Sequence, residues 1–252
     1  MKVMSLGGCT MKAFSSLIKY HYQLYVKTNK YIMPALIWIV FLNLSYSQKP
    51  LDIVSSTLLS ISVLFFVMLW VAISYMESVD PVSEQILLLK VKNRNTYYRS
   101  KNVFVFMLGT AYSLIGIAFP IMENAMNGFS MFTRPLTIWD ILCAFILHML
   151  TAILGGTLGI LFQPRCIKNR KEALMIVSLI ALISIAKTGI NHSFLFAKYV
   201  TWLFPPLSDI STYFNENVYF SAAAMGKAIL YCGVYSAILL FISNQLLKRK
   251  LF

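Results

Sequence analysis

The sequence predicts an all-α membrane protein of six transmembrane helices. An N-terminal amphipathic helix in the interface, a short cytoplasmic helix after the second span and re-entrant helices on the outer side before the last span complete it. Three observations carry this. Of the 252 residues, 58% are hydrophobic and only 12% charged, about half the ~25% charged residues of a soluble domain, which leaves too little polar surface to coat a water-soluble globule. Apolar runs approaching the ~20 residues needed to cross hydrocarbon recur along the chain. Lys and Arg collect between those runs, on alternate sides.

The predicted spans are residues 32–46, 57–76, 103–122, 138–162, 173–191 and 227–247, in a single transmembrane domain over 1–252. The first is short but uncharged, with Pro34 tolerable in its first turn. The fourth holds Asp140, His148 and the small-residue cluster Gly155-Gly156-Thr157-Leu158-Gly159, and the fifth carries Lys187. Gly155 and Gly159 make a small-xxx-small face suited to close helix contact within one subunit.

Of the 22 Lys and Arg residues, seventeen fall on one side: the N-terminal segment, the loop around residues 90–101, the loop around 165–171 and the tail at 248–250. Lys49, Arg134, Lys187, Lys198 and Lys227 make the other five. The split holds at every loop, requires an even number of spans, and places both termini in the cytoplasm. The net charge of +13 therefore reads as topology and contact with lipid headgroups, not as a nucleic-acid surface.

Three segments outside the spans are patterned. Residues 11–30 place Phe14, Leu17, Ile18, His21 and Tyr25 at helical spacing, as expected of a helix lying in the cytoplasmic interface. Met11-Lys12 reads as the more natural start, with residues 1–10 an upstream extension. Residues 83–94 predict a short helix, with Ser83 as its cap, Glu84 in its first turn, Ile86 and Leu89 on one face and Lys90, Lys92 and Arg94 at its end. The acids Glu77, Asp80 and Glu84 before five basic residues suit either a docking surface for a soluble partner or a solvated loop. Residues 196–225, with Trp202, Phe204, Pro205, Pro206, Tyr213 and Tyr219, are too apolar for a free loop and too broken for a span. Headgroup-level aromatics or half-entering helices both fit.

No catalytic constellation is legible. The chain lacks HExxH, a phosphate-binding GxxxxGK[ST] loop and a GxSxG elbow. His21, His148 and His192 have no ligand spacing, and the four cysteines form neither CxxC nor an even framework. Ionisable residues at membrane depth are weighed singly. Asp140 either caps the fourth span or lines a pathway. Lys187 either snorkels outward or faces a cavity and binds an anionic group. His148 reads first as a hydrogen-bonded packing residue.

The segment ESVDPVSEQILLLKVKNRNTYYRSKNVF, Glu77 to Phe104, resembles the second loop of permease subunits in ABC-2 type exporters: an acid after the second span (Glu77), a short apolar helix (Ile86 to Leu89), a basic turn with tyrosines (Arg94, Tyr97, Tyr98), then a lysine opening the third span (Lys101). The helix at 11–30 is similar to that family's elbow helix, and WLFPPLSDIS (Trp202 to Ser211) to its outer segment. The first outer loop, Ser47 to Ser56, is shorter than the family's. The resemblance implies a permease, not an enzyme. Its coupling residues would be Glu77, Glu84, Ile86, Leu89, Arg94 and Tyr98. A separate dimer of ATPase subunits would carry ATP and Mg, with no cofactor on this chain. A second copy or a sister permease would complete the pore.

The richness in Lys, Asn, Ile, Tyr and Phe suits the plasma membrane of a low-GC Gram-positive bacterium. Small stand-alone permeases of such bacteria resemble exporters of amphipathic peptides, including bacteriocin-immunity and phenol-soluble-modulin exporters. On that reading Asp140, His148, Lys187, Trp202 and Phe204 line the substrate pathway. A lipid-linked or drug-like substrate, an intramembrane enzyme and a sensor without transport are the alternatives.

Overall fold

A computed structural model describes residues 4–91, 94–163, 169–214 and 218–249. The described residues form ten α-helices and one 3-10 turn, with a single isolated bridge between Leu51 and Phe132 as the only β pairing. Five helices are long and apolar enough to cross a membrane: α3 (Ile53–Ser78), α5 (Arg94–Met126), α6 (Ile138–Leu161), α7 (Arg170–Ser193) and α10 (Ala222–Arg249). Even the 24-residue α6 and α7 extend about 36 Å, beyond the ~30 Å hydrocarbon core. Their outward faces carry exposed large apolar residues such as Leu114, Leu182 and Leu230, as expected where the solvent is lipid. These are the marks of a multi-pass membrane protein.

The first predicted span differs. Helix α2 (Ile32–Ser45) has 14 residues, about 21 Å, short of the hydrocarbon thickness. The chain enters it from a tight turn at Asn29, which adopts a left-handed φ of 54°, a conformation Asn tolerates better than most residues. Pro34, Trp38 and Leu42 face the bundle, while Leu36, Val40 and Leu44 are exposed. Trp38 Nε1 donates to the carbonyl of Tyr112, 3.2 Å away.

The core is the α3–α6 seam. An ideal Cβ on Gly155 would lie 2.4 Å from the Phe65 carbonyl oxygen, and one on Gly159 would lie 2.5 Å from Ala72 Cβ. The two glycines let the backbones approach, so the small-residue face is an internal helix contact. Phe65, Leu69, Leu147, Leu154 and Leu158 fill the seam on one side, joined by Val177, Ile210 and Phe214. Leu64, Met68, Val71 and Tyr75 fill it on the other, with Trp38, Leu42 and Phe104.

Helix α1 (Met4–Lys27) starts before residue 11 and ends at Lys27. It is more than an interfacial helix. Leu17, His21 and Tyr25 are buried against protein, chiefly the start of α5.

The short helix after α3 also differs in its limits. Helix α4 spans Pro81–Val91. Its cap is Asp80, not Ser83: the Asp80 carboxylate accepts from the Ser83 backbone N–H at 2.9 Å, and the Asp80 carbonyl accepts from Glu84 N–H. Pro81 then takes the first helical position, where its missing N–H costs nothing. Arg94 opens α5 and does not end this helix. Lys92, Arg165, Cys166, Lys168 and Lys250 lie outside the described residues.

The predicted outer segment is a 3-10 turn (Leu195–Ala197), α8 (Lys198–Thr201) and α9 (Leu207–Phe214). Helix α9 folds back against α3, α7 and α10, burying Leu207, Ile210 and Phe214.

Candidate functional site

Two regions gather the predicted residues, one at each end of the bundle. At the basic end, Glu77 closes α3 with two ion pairs, to Arg170 at 2.7 Å and Lys30 at 3.6 Å. It thereby ties the starts of α2 and α7 to the end of α3. These partners are surface cations, so each pair contributes little on its own; what the carboxylate supplies is register among three segments.

Helix α4 is two-faced. Glu84 and Leu88 are buried. The Glu84 carboxylate accepts from Lys101 Nζ at 3.1 Å, which pins α4 to α5. Leu88 joins Leu17, Tyr97, Tyr98 and Leu247 in a small core where α1, α4, α5 and α10 meet. On the opposite face Val82, Ile86 and Leu89 are exposed, Leu89 by 82%. The spacing of four and three places these three apolar side chains in one stripe. Arg94 is exposed close by, whereas Tyr98 is buried. Of the six predicted docking residues, then, Ile86, Leu89 and Arg94 face outward, and Glu77, Glu84 and Tyr98 hold the scaffold. Val82 lies outside the predicted 83–94, because the helix begins at Pro81.

Above this layer His21 sits fully buried among Tyr20, Tyr75, Tyr97 and Phe104, with ring centroids 5.6–6.1 Å away. Ser100 Oγ gives its proton to the Tyr97 carbonyl at 2.7 Å. His21 Nε2–H therefore donates to Ser100 Oγ, 2.9 Å away. Burial, and secondarily the charge of Lys101, push the His21 pKa down to about 3.

At the other end, Asp140 completes a capping box with Thr137 at the start of α6. It also accepts both terminal nitrogens of Arg134, at 2.6 and 2.7 Å. Arg134 lies over the Tyr219 ring at 4.2 Å and donates through Nε to the Val218 carbonyl. The buried carboxylate is thus engaged by protein groups, and its arginine staples the chain before α10 to α6. His148, two turns further on, donates from Nδ1–H to the Ala144 carbonyl at 2.8 Å and takes Ser60 Oγ at Nε2, 3.0 Å away. Asp140 and His148 line one small cavity of ≈ 30 Å³, enough for about two waters.

Lys187 is buried and pairs with Asp209 of α9 at 2.5 Å, with the Tyr231 ring at 5.6 Å. Neither snorkelling nor an open cation describes it. Asp209 went unflagged, although an acid within an outer apolar stretch near a membrane lysine is the available signal. Beside the pair, Ser62, Thr188, Ser208, Ser211 and Thr212, with Ile185 and Leu207, line a recess of ≈ 230 Å³ between α3, α7 and α9, and the buried Ser208 Oγ has no hydrogen-bond partner. Trp202 is 63% exposed and Phe204 half-buried; they do not meet Asp140 or His148 in a shared cavity. Among the described residues no cluster of His, Cys, Asp and Glu is arranged to hold a metal. No protein-family model, curated protein or solved structure matches the chain at a significant level.

Proposed function

We propose that this chain is the transmembrane subunit of an exporter driven by a separate ATPase, similar to ABC-2 type permeases, with α4 as the helix on which the ATPase acts. The observation that carries the reading is the outward stripe of Val82, Ile86 and Leu89 on a short helix beyond the apolar spans. Leaving three aliphatic side chains in water forgoes roughly 2 kcal/mol each relative to burying them, so the stripe calls for a partner. The opposite face, through Glu84–Lys101, gives a push on α4 a direct route into α5.

In this reading the protein lies in the plasma membrane with both termini in the cytoplasm, α2 is a sixth, short crossing, and α8 and α9 are the outer re-entrant segment. The pore is completed by a second copy or a sister permease. The substrate is an amphipathic or hydrophobic molecule, a peptide first, taken from the inner leaflet of a Gram-positive cell. The hydroxyl-lined recess beside Lys187 and Asp209 favours a second substrate class, a lipid-linked molecule with a hydroxylated head.

Copurification with an ATPase whose turnover rises with a candidate amphipathic peptide is the direct test. Replacing Ile86 and Leu89 together by Ser should abolish copurification while the protein still reaches the membrane and melts normally. Arg94→Glu should weaken it. Full ATPase retention in the Ile86/Leu89 variant would reject α4 as the docking helix.

A further inference from the structure

We infer that the groove between α5 and α10, floored by α1, is a binding site for one anionic phospholipid of the leaflet at the basic end. The groove measures ≈ 710 Å³. Helix α10 packs chiefly on α6 and α9 and α5 chiefly on α6 and α1, so the two helices border the groove and meet at the small cluster of Leu247 with Tyr97 and Tyr98. Helix α5 begins at the basic end with Arg94, and Leu247 near the end of α10 packs there with Leu88, Tyr97 and Tyr98.

The lining is graded along the helices. On α5 Thr96, Arg99 and Asn102 lie nearer the basic end than Val103 and Phe106, on α10 Asn244 lies nearer it than Leu240, and Phe14 and Ser15 of α1 complete the lining. From Arg99 to Phe106 the rise along α5 is about 10 Å, the distance over which a phospholipid passes from phosphate to acyl chain. Helix α10 runs the other way, yet shows the same gradient, with Asn244 toward the end and Leu240 one turn deeper. One cation and two carboxamides can supply four or more hydrogen-bond donors to a phosphodiester. Among the described residues no Asp or Glu lines the groove, so an anion meets no repulsion there. A peptide helix in the same place would leave Arg99 facing neutral backbone, and a zwitterionic lipid would bring a cation toward it. The inference stands independently of what the chain transports.

The test uses the purified full chain in neutral detergent, followed by native mass spectrometry and thermal melting. The probes are phosphatidylglycerol, phosphatidylcholine and inorganic phosphate. Phosphatidylglycerol should bind about fivefold or more tightly than phosphatidylcholine, the worth of one interfacial cation, and should raise the melting temperature. Arg99→Gln should remove the preference, Arg99→Lys should keep most of it, and Lys171→Gln, exposed at the same end, should leave it intact. Leu240→Trp, which fills the deeper part, should lower retention of both lipids. An unchanged preference in Arg99→Gln overturns the site. So does an equal melting shift with phosphate alone, which would mean an anion site without a lipid, or loss of self-association in Leu240→Trp with lipid binding unchanged, which would mean that a second copy occupies the groove.

Discussion

Gly155→Ala is the sharpest probe of the bundle. The added methyl would stand 2.4 Å from the Phe65 carbonyl oxygen and 3.2 Å from the Leu69 amide nitrogen. Both are backbone atoms of α3, so no rotamer change relieves the clash. Restoring an ordinary contact of about 3.4 Å requires α3 and α6 to part by about 1 Å. A gap of that size forfeits between a quarter and a half of the dispersion energy of each contact along the seam. Overpacking of this kind costs about 1–3 kcal/mol, and the upper end applies here because the seam is the largest interface in the molecule. Gly189, Gly226 and Gly233 provide the control: nothing lies within 4 Å of a Cβ on any of them, so Ala there should be neutral or stabilise by up to about 1 kcal/mol through helix propensity. Unfolding of the detergent-solubilised protein by SDS titration or heat reads the difference. If Gly155→Ala unfolds no more readily than Gly189→Ala, the close α3–α6 approach is wrong.

Two further predictions concern buried charge. With the His21 pKa at about 3 in the folded protein against 6.5 in the unfolded chain, the unfolded chain binds more protons between those values. Stability should therefore fall as pH drops below 6.5, by about 2 kcal/mol at pH 5 from this residue. His21→Gln should flatten that part of the melting profile relative to wild type, and identical slopes would exclude a buried neutral His21. In the Lys187–Asp209 pair, the lysine side chain is 5% exposed and the aspartate 22%. Asp209→Asn strands the more buried charge and should cost about 3 kcal/mol, Lys187→Met less, and the double change Lys187→Met with Asp209→Leu should recover much of the loss. A double-mutant cycle with no coupling would show that the two residues do not meet.

Much of the architecture was readable because membrane insertion is a local property. A run of apolar residues is a span whatever it packs against, so the predicted 57–76 and 103–122 fall within α3 and α5, and 138–162 overruns α6 by one residue. The glycine face of α6 was readable for the same reason: the absence of a side chain can be seen before its neighbour is known. Local chemistry misled at helix ends. Ser83 and Asp80 are both good caps, and only the backbone path shows that Asp80 accepts the Ser83 amide. The predicted 32–46 was short in the sequence and is short in the fold, since α2 covers Ile32–Ser45.

The sequence by itself determined that this chain belongs in lipid, which of its segments are helical, and at which end its basic residues gather, since each follows from residue type along a run. The tertiary structure alone decided what the polar residues do. It paired Lys187 with Asp209, gave Asp140 to Arg134, turned Glu84 inward to Lys101 and left Val82, Ile86 and Leu89 outward. The physical reason is range. Burial in hydrocarbon sums over a window of neighbours in the chain, whereas an ion pair or an exposed stripe depends on atoms a few ångströms apart that the fold brings together from distant segments.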